Sequence, residues 1–368
     1  MTMAKALLFF CLFLFSVSSF TLSNGARAAI QSPRKYAKIY ELKKGDMQVR
    51  VTNWGAIILS VVIPDSKGKL DDVVLGFEKL GSYINDTTYF GAIVGRVANR
   101  IKDGRFVLNG QAYRLFRNDG NNTLHGGHRG FSKVFWTMKE KQDGEFPYIT
   151  LTYHSFDGEQ GFPGDLDVSV TYKLVGDLQI SVSMEAIPRN KPTPVNLAQH
   201  TYWNLAGQNS GPILGNTVQL WASQYTPVDK TLIPTGEILS VGNTPYDFLQ
   251  PYTVGSRISE VASGYDINYV LSSSKESNGL RKAAKVTDHK TGRVLELWTD
   301  NVGLQFYTGN MLNDVTGGKG GCVYGIHDAL ALETQGFPDS VNHPNFPSQI
   351  VNPGQVYRHN MLYKFSFV

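Results

Sequence analysis

Between Val168 and Met184 the chain alternates apolar and polar residues almost without interruption. Val168, Val170, Tyr172 and Leu174 are spaced by Ser169, Thr171 and Lys173. After Gly176-Asp177 the period resumes, with Leu178, Ile180, Val182 and Met184 set between Gln179, Ser181 and Ser183. A period of two sends successive side chains to opposite faces of a strand, and a one-residue slip would expose the whole apolar set. Two such runs around a short Gly-containing connection predict an antiparallel hairpin. Shorter runs predict strands at Gln48–Thr52, Ile57–Ile63, Tyr148–Tyr153, Val294–Thr299, Leu304–Thr308 and Met361–Phe367. No convincing amphipathic helix, heptad or fixed repeat lies between them, which argues against a doubly wound parallel sheet. The polar stretch Ser272–Asn278 is short and reads as a loop tip rather than a linker. Residues 29–368 therefore read as one all-β, antiparallel domain. Such folds bury one sheet face and often offer the other as a concave surface.

Composition narrows the function classes. Hydrophobic residues make up 42% and charged residues 18% of the 368 positions, which excludes a disordered chain. With 35 basic against 31 acidic residues and no Lys/Arg runs, nothing points to a nucleic-acid partner held by phosphate neutralisation. Lys5, the apolar run Ala6 to Phe15 and the triplet Ala26-Arg27-Ala28 have the form of a secretory signal peptide over residues 1–28. The alternative is an uncleaved anchor, for which the run is short against the ~20 apolar residues of a membrane span. Cleavage would give a secreted, extracellular protein with no membrane partner, expected to be a monomer or weak dimer. It would also remove Cys11, leaving Cys322 alone and no intrachain disulfide. Two sequons follow, Asn85-Asp86-Thr87 and Asn121-Asn122-Thr123; Asn85 is the more plausible acceptor, because Asn121 adjoins a candidate site motif.

Four segments set polar residues among apolar or aromatic ones: Gly91 to Ile101, Asn122 to Gly127, Asn196 to Leu205, and Leu330 to Asp339. His200 stands between Gln199 and Thr201-Tyr202-Trp203-Asn204. Such an imidazole either satisfies a backbone carbonyl or works as an acid or base. Glu333 lies in an apolar run, where a carboxylate is either paired structurally or tuned as a base. His125 and His128 have metal-like HxxH spacing. Two intervening glycines and the lack of a helical context speak against a metal, and His125 reads better as a donor to a ligand. Gly317 to Gly321 lacks the ending of a phosphate-binding loop. No GxGxxG or GxSxG signature points to dinucleotide or α/β-hydrolase chemistry.

Together these segments resemble the aldose 1-epimerases, or galactose mutarotases, over about Tyr40 to Phe367. Gly95-Arg96-Val97-Ala98-Asn99-Arg100-Ile101 is similar to the family's G-R-x-A-N-R-I, and Asn122 to Gly127 to its N-x-L-H-G-G. Asn196 to Leu205 is similar to N-x-x-N-H-T-Y-F-N-L, Gly264-Tyr265-Asp266 to G-Y-D, and Gly303 to Asn310 to G-x-Q-F-Y-T-G-N. Leu332-Glu333-Thr334-Gln335 with Pro338-Asp339 is similar to L-E-T-Q-x-x-P-D. The resemblance implies a large β-sandwich with an open cleft for aldose sugars such as glucose and galactose. It implies Glu333 as catalytic base, His200 as catalytic acid, and Asn99, Arg100, His125, Asp266 and Gln305 as sugar-binding residues, with no metal or organic cofactor. Trp203 or Phe306 could pack on the sugar, although core packing suits them better.

Three positions depart from the family pattern: Gln199 for Asn, Ile267 where many members carry His, and Asp328-Ala329 before the Glu333 strand. Ile267 removes a possible polar contact and could shift sugar preference, but leaves Asp266 itself. Competing functions are a hexose-6-phosphate 1-epimerase using Arg96, Arg100 and Arg105, a glycosidase using Glu333 and Asp266, and a sugar-binding protein without catalysis.

Overall fold

The computed structural model describes residues 36–368, which form one compact unit. The expected signal peptide at 1–28 lies outside the described residues. Among the described residues there is no α-helix, only strands and single 3₁₀ turns, and no helix is long and apolar enough to cross a membrane.

The alternating hairpin forms as its pattern demands. Strands Leu166–Gly176 and Gln179–Pro188 pair antiparallel, with Val168 opposite Ala186, Val170 opposite Met184 and Tyr172 opposite Val182. A register shift between Leu174 and Gly176 moves the turn one residue on, so Leu178 falls in the connection. In the first strand Leu166, Val168, Val170, Tyr172 and Leu174 are buried while their neighbours are half exposed. The hairpin sits within a nine-stranded antiparallel sheet. Tyr148–Ser155 and Thr137–Gln142 extend it on one side, and Tyr357–Phe367, Arg293–Thr299, Arg281–Thr287, Thr217–Leu220 and Tyr252–Thr253 on the other. Each strand predicted from the sequence is present, shifted by a residue or so at its ends or, for Met361–Phe367, extended back to Tyr357.

A six-stranded sheet opposes it, ordered Tyr202–Trp203, Leu330–Gln335, Gly303–Tyr307, Asp266–Val270, Gln224–Thr226 and Leu239–Ser240. One register decides its function. Gln305 stands opposite Glu333 and Asn268, and Tyr307 opposite Ala331 and Asp266. One face therefore carries Tyr202, Glu333, Gln305, Tyr307 and Asp266. The other carries Trp203, Leu330, Leu332, Leu304, Phe306, Ile267 and Tyr269, all in the main core. That core is shared with the inner face of the nine-stranded sheet and with Leu42, Met47, Val49 and Val51 of a four-stranded sheet. Trp203 packs 5.1 Å from Tyr363 and Phe306 5.5 Å from Phe248, so neither aromatic is free to meet a sugar. Ile267 also belongs to the core face. Strand alternation turns it away from the polar face, so the possible polar contact at this position is not made from here.

Tyr172 links the large sheet to the segment entering strand Ile58–Pro64, its hydroxyl donating to Ala56 O at 2.6 Å. Tyr172→Phe leaves a buried carbonyl without its partner. It is expected to cost about 1–2 kcal/mol, read from the urea midpoint; an unchanged midpoint would show that this bond does not support the fold.

Candidate active site

The polar face of the six-stranded sheet forms the floor of a cavity of about 290 Å³, at the small end of ligand pockets and on the scale of one monosaccharide. All seven residues singled out from the sequence line it: Asn99, Arg100, His125, His200, Asp266, Gln305 and Glu333.

His200 comes from strand Ala198–His200, which pairs with Ala92–Val94. Gln199 shapes this strand. Its Nε2 donates to Gly91 O at 2.9 Å and its Oε1 accepts from the Thr201 N–H at 2.9 Å. The Gln-for-Asn departure thus retains an amide that bonds backbone on both sides. Asp328 closes the turn before the Glu333 strand by accepting the Gly325 N–H at 2.7 Å.

His200 Nε2 lies 3.6 Å from Glu333 Oε2, and the two residues are 4% and 2% exposed. Neither His200 Nδ1 nor Glu333 Oε2 has a hydrogen-bond partner among the described residues. The His200 ring stacks on Tyr202 at 5.1 Å. Burial pushes the imidazole down to about 4. Burial, reinforced by the neighbouring Asp266 carboxylate and opposed by Arg100, holds Glu333 well above the usual carboxylate range. Burial likewise raises Asp266, against Arg100 and a hydrogen bond from Gln305 Nε2 at 2.6 Å.

Two motifs distant in sequence build the opposite wall. Arg100–Ile101 pairs with Thr123–Leu124, and the His125 N–H donates to Asn99 O at 3.0 Å. Asn99 (φ 61°) and His125 (φ 51°) both adopt the left-handed backbone. Gly126 follows at φ 84°; a Cβ there would stand 1.9 Å from Gly95 O, so the motif needs glycine at this position. The Asn99 N–H donates to His125 Nδ1 at 3.1 Å. That donor fixes the tautomer: Nδ1 accepts and Nε2 carries the proton. Burial, His200 and Arg100 all favour the neutral ring. Arg100 Nε bonds Asp119 Oδ2 at 2.7 Å.

The donor atoms of His125, His200 and Glu333 lie within 4.8 Å of one another, close enough to raise a metal reading. The backbone donor on His125 Nδ1 weighs against it, since Nε2 can ligate only if that bond is given up. His128, the other half of the HxxH spacing, lies outside this cavity. In the glycine loop, Lys319 Nζ is committed to Asp72 Oδ2 at 2.7 Å and Val74 O at 2.8 Å.

The arginines suggested for a sugar phosphate do not gather here. Arg96 is buried and donates to Pro163 O, Gly164 O, Thr193 Oγ1 and Ser155 Oγ, while Arg105 is exposed on strand Arg105–Leu108. Neither lines the cavity. Tyr89, Tyr202, Tyr307 and Asp119 do line it and were not singled out. Tyr202 and Tyr307 lie inside the family-like motifs, where alternation with core residues is their only signal.

The family profile for aldose 1-epimerases matches residues 38–364. The chain is 44% identical to the galactose mutarotase of Bos taurus over 329 residues, covering 89% of this chain and 93% of that protein. It is 35% identical to the aldose 1-epimerase of Escherichia coli over 326 residues, 87% and 92% of the two chains. A solved aldose epimerase homologue from C. elegans superposes with a TM-score of 0.84 at 28% identity, covering 90% of this chain and 100% of that one. With its sheets, its site motifs and its relatives in agreement along nearly the whole described length, the chain belongs to the aldose 1-epimerase family.

Proposed function

We propose that this protein is a mutarotase that interconverts the α and β anomers of free aldohexoses such as galactose and glucose. The observation that carries the reading is the buried Glu333–His200 pair, 3.6 Å apart on the floor of a sugar-sized cavity. Anomerisation opens the pyranose ring and closes it on the other face. A base takes the proton from the anomeric hydroxyl while an acid protonates the ring oxygen, so neither an alkoxide nor an oxocarbenium ion builds up alone. Glu333 serves as the base and His200 as the acid. After ring opening the carbonyl carbon turns about its bond to the next carbon, and reclosure returns both protons.

The reaction requires one proton on the pair. Burial disfavours the charged form of each group and so draws that proton toward Glu333. Sugar hydroxyls and the Arg100 guanidinium favour the ionised arrangement, with the proton on His200. His125 Nε2–H, Asn99, Asp266 and Gln305 orient the ring hydroxyls, and a donor on the developing ring-oxygen charge lowers the barrier.

Glu333→Gln and His200→Asn are each expected to slow mutarotation of fresh α-D-galactose by on the order of 100-fold or more, followed by optical rotation. Rates near wild type would overturn the assigned roles.

The pH dependence follows from the same pair. With the buffer rate subtracted, kcat/KM should fall as pH drops through about 4, where His200 takes a second proton. It should fall again as pH rises above the ordinary carboxylate range, where Glu333 loses the shared one. A profile flat across both limbs would contradict the one-proton requirement.

Export is part of the proposal and rests on the leader-like residues 1–28. The side chains of both sequon asparagines, Asn85 and Asn121, are exposed. Expression in a secreting eukaryotic host should give medium protein that begins near residue 29 and loses mass on deglycosylation; intracellular protein with its leader intact would refute this.

A further inference from the structure

A second cavity, of about 440 Å³, adjoins the first. Thr87, Tyr89 and Asn118 line both, and Trp54, Ile84, Asn85, His128, Arg129 and Lys133 complete it. The shared wall is Tyr89, whose hydroxyl accepts from Asn118 Nδ2 at 3.3 Å. Its ring packs 4.7 Å from His125, and Lys133 Nζ lies 5.7 Å from the centroid of the same ring. An ammonium and the sugar-facing imidazole thus contact one tyrosine.

The charge of this second cavity is one-sided. No acidic side chain lines it. Among the described residues, neither Arg129 nor Lys133 has a carboxylate within 4.0 Å. Asp86 attracts Lys133 at longer range, but its oxygens accept from Thr88 and the Phe90 N–H. Arg129 is exposed and also borders a small pocket that Glu159 lines, but its guanidinium makes no hydrogen bond or ion pair among the described residues. Cations without partners in a concave site concentrate anions and hold them more strongly than in open water. Trp54 and Ile84 add apolar surface and Thr87 adds a hydroxyl, while the Asn118 amide is committed to Tyr89 and Leu124 and Asn85 is left to the glycan proposed above.

We infer that this cavity is a subsite for an anionic extension of the aldose, either the carboxylate of an attached uronic acid unit or a phosphate ester remote from C1. The inference rests on the mutarotase reading and adds a class of acidic substrates to it. The aldose ring occupies the Glu333–His200 cavity while Lys133 and Arg129 hold the anion beyond Tyr89.

The test compares anomer interconversion of glucose, lactose, glucose 6-phosphate and a reducing aldobiuronic acid. The enzymes are wild type, a Lys133→Gln/Arg129→Gln double variant, and a Lys43→Gln/Lys139→Gln double variant, at exposed positions outside both cavities, as a control for net charge. The Lys133→Gln/Arg129→Gln variant should lose about tenfold in kcat/KM on an acidic substrate, and the control little. Glucose and lactose should stay within about twofold. Loss on the uronate alone or on the phosphate alone identifies the source of the anion; loss on both supports the shared chemistry. Equal loss on acidic and neutral sugars, or no loss on either acid, overturns the subsite. If wild type turns over none of the sugars, the mutarotase reading falls, a result distinct from the failure of the subsite.

Discussion

A carboxyl and an imidazole buried side by side without hydrogen-bond partners of their own are the constraint around which this fold is arranged. Burial drives each group toward its neutral form, raising Glu333 and lowering His200. Among the described residues nothing meets the hydrogen-bonding capacity of Glu333 Oε2 and His200 Nδ1. A sugar offers hydroxyls to such groups, and the cavity around them has room for one ring.

The rest of the molecule keeps the pair in place. Glu333 and His200 come from different sheets, so something must tie those sheets together. His359, fully buried in strand Tyr357–Phe367, contacts Thr334 Oγ1 at 2.8 Å through Nε2 and Leu197 O at 3.0 Å through Nδ1. It thereby braces the neighbour of Glu333 and the segment leading to His200 against the nine-stranded sheet. The Tyr357 hydroxyl accepts the Leu197 N–H at 3.0 Å and adds to the brace. On the far wall, the reciprocal Asn99–His125 bonds set one imidazole's tautomer and position at once. Each contact is a backbone or buried side-chain bond, which gives the precision that proton transfer needs.

How much of this the sequence disclosed depended on the physical signal each element carries. The hairpin at 166–188 was legible because its strands have one wet face, so burial alternates. Strand Leu330–Gln335 is buried at all six positions, and Glu333 announced itself only as a charge in an apolar run. The two-residue strands Arg100–Ile101 and Thr123–Leu124 are too short to show any period, although they align Asn99 with His125. Family resemblance supplied what periodicity could not, the gathering of seven scattered residues into one cavity. It left the effect of Ile267 open, and strand parity places that side chain in the core. Tyr89 went unnoticed because a left-handed tyrosine between two cavities leaves no pattern in one dimension.

The most direct test of the central claim is a crystal structure of the Glu333→Gln variant soaked with galactose. The account predicts the anomeric hydroxyl within hydrogen-bond reach of the side chain at position 333 and the ring oxygen facing His200 Nε2. A sugar bound with its anomeric carbon turned away from both groups, or bound outside this cavity, would contradict it.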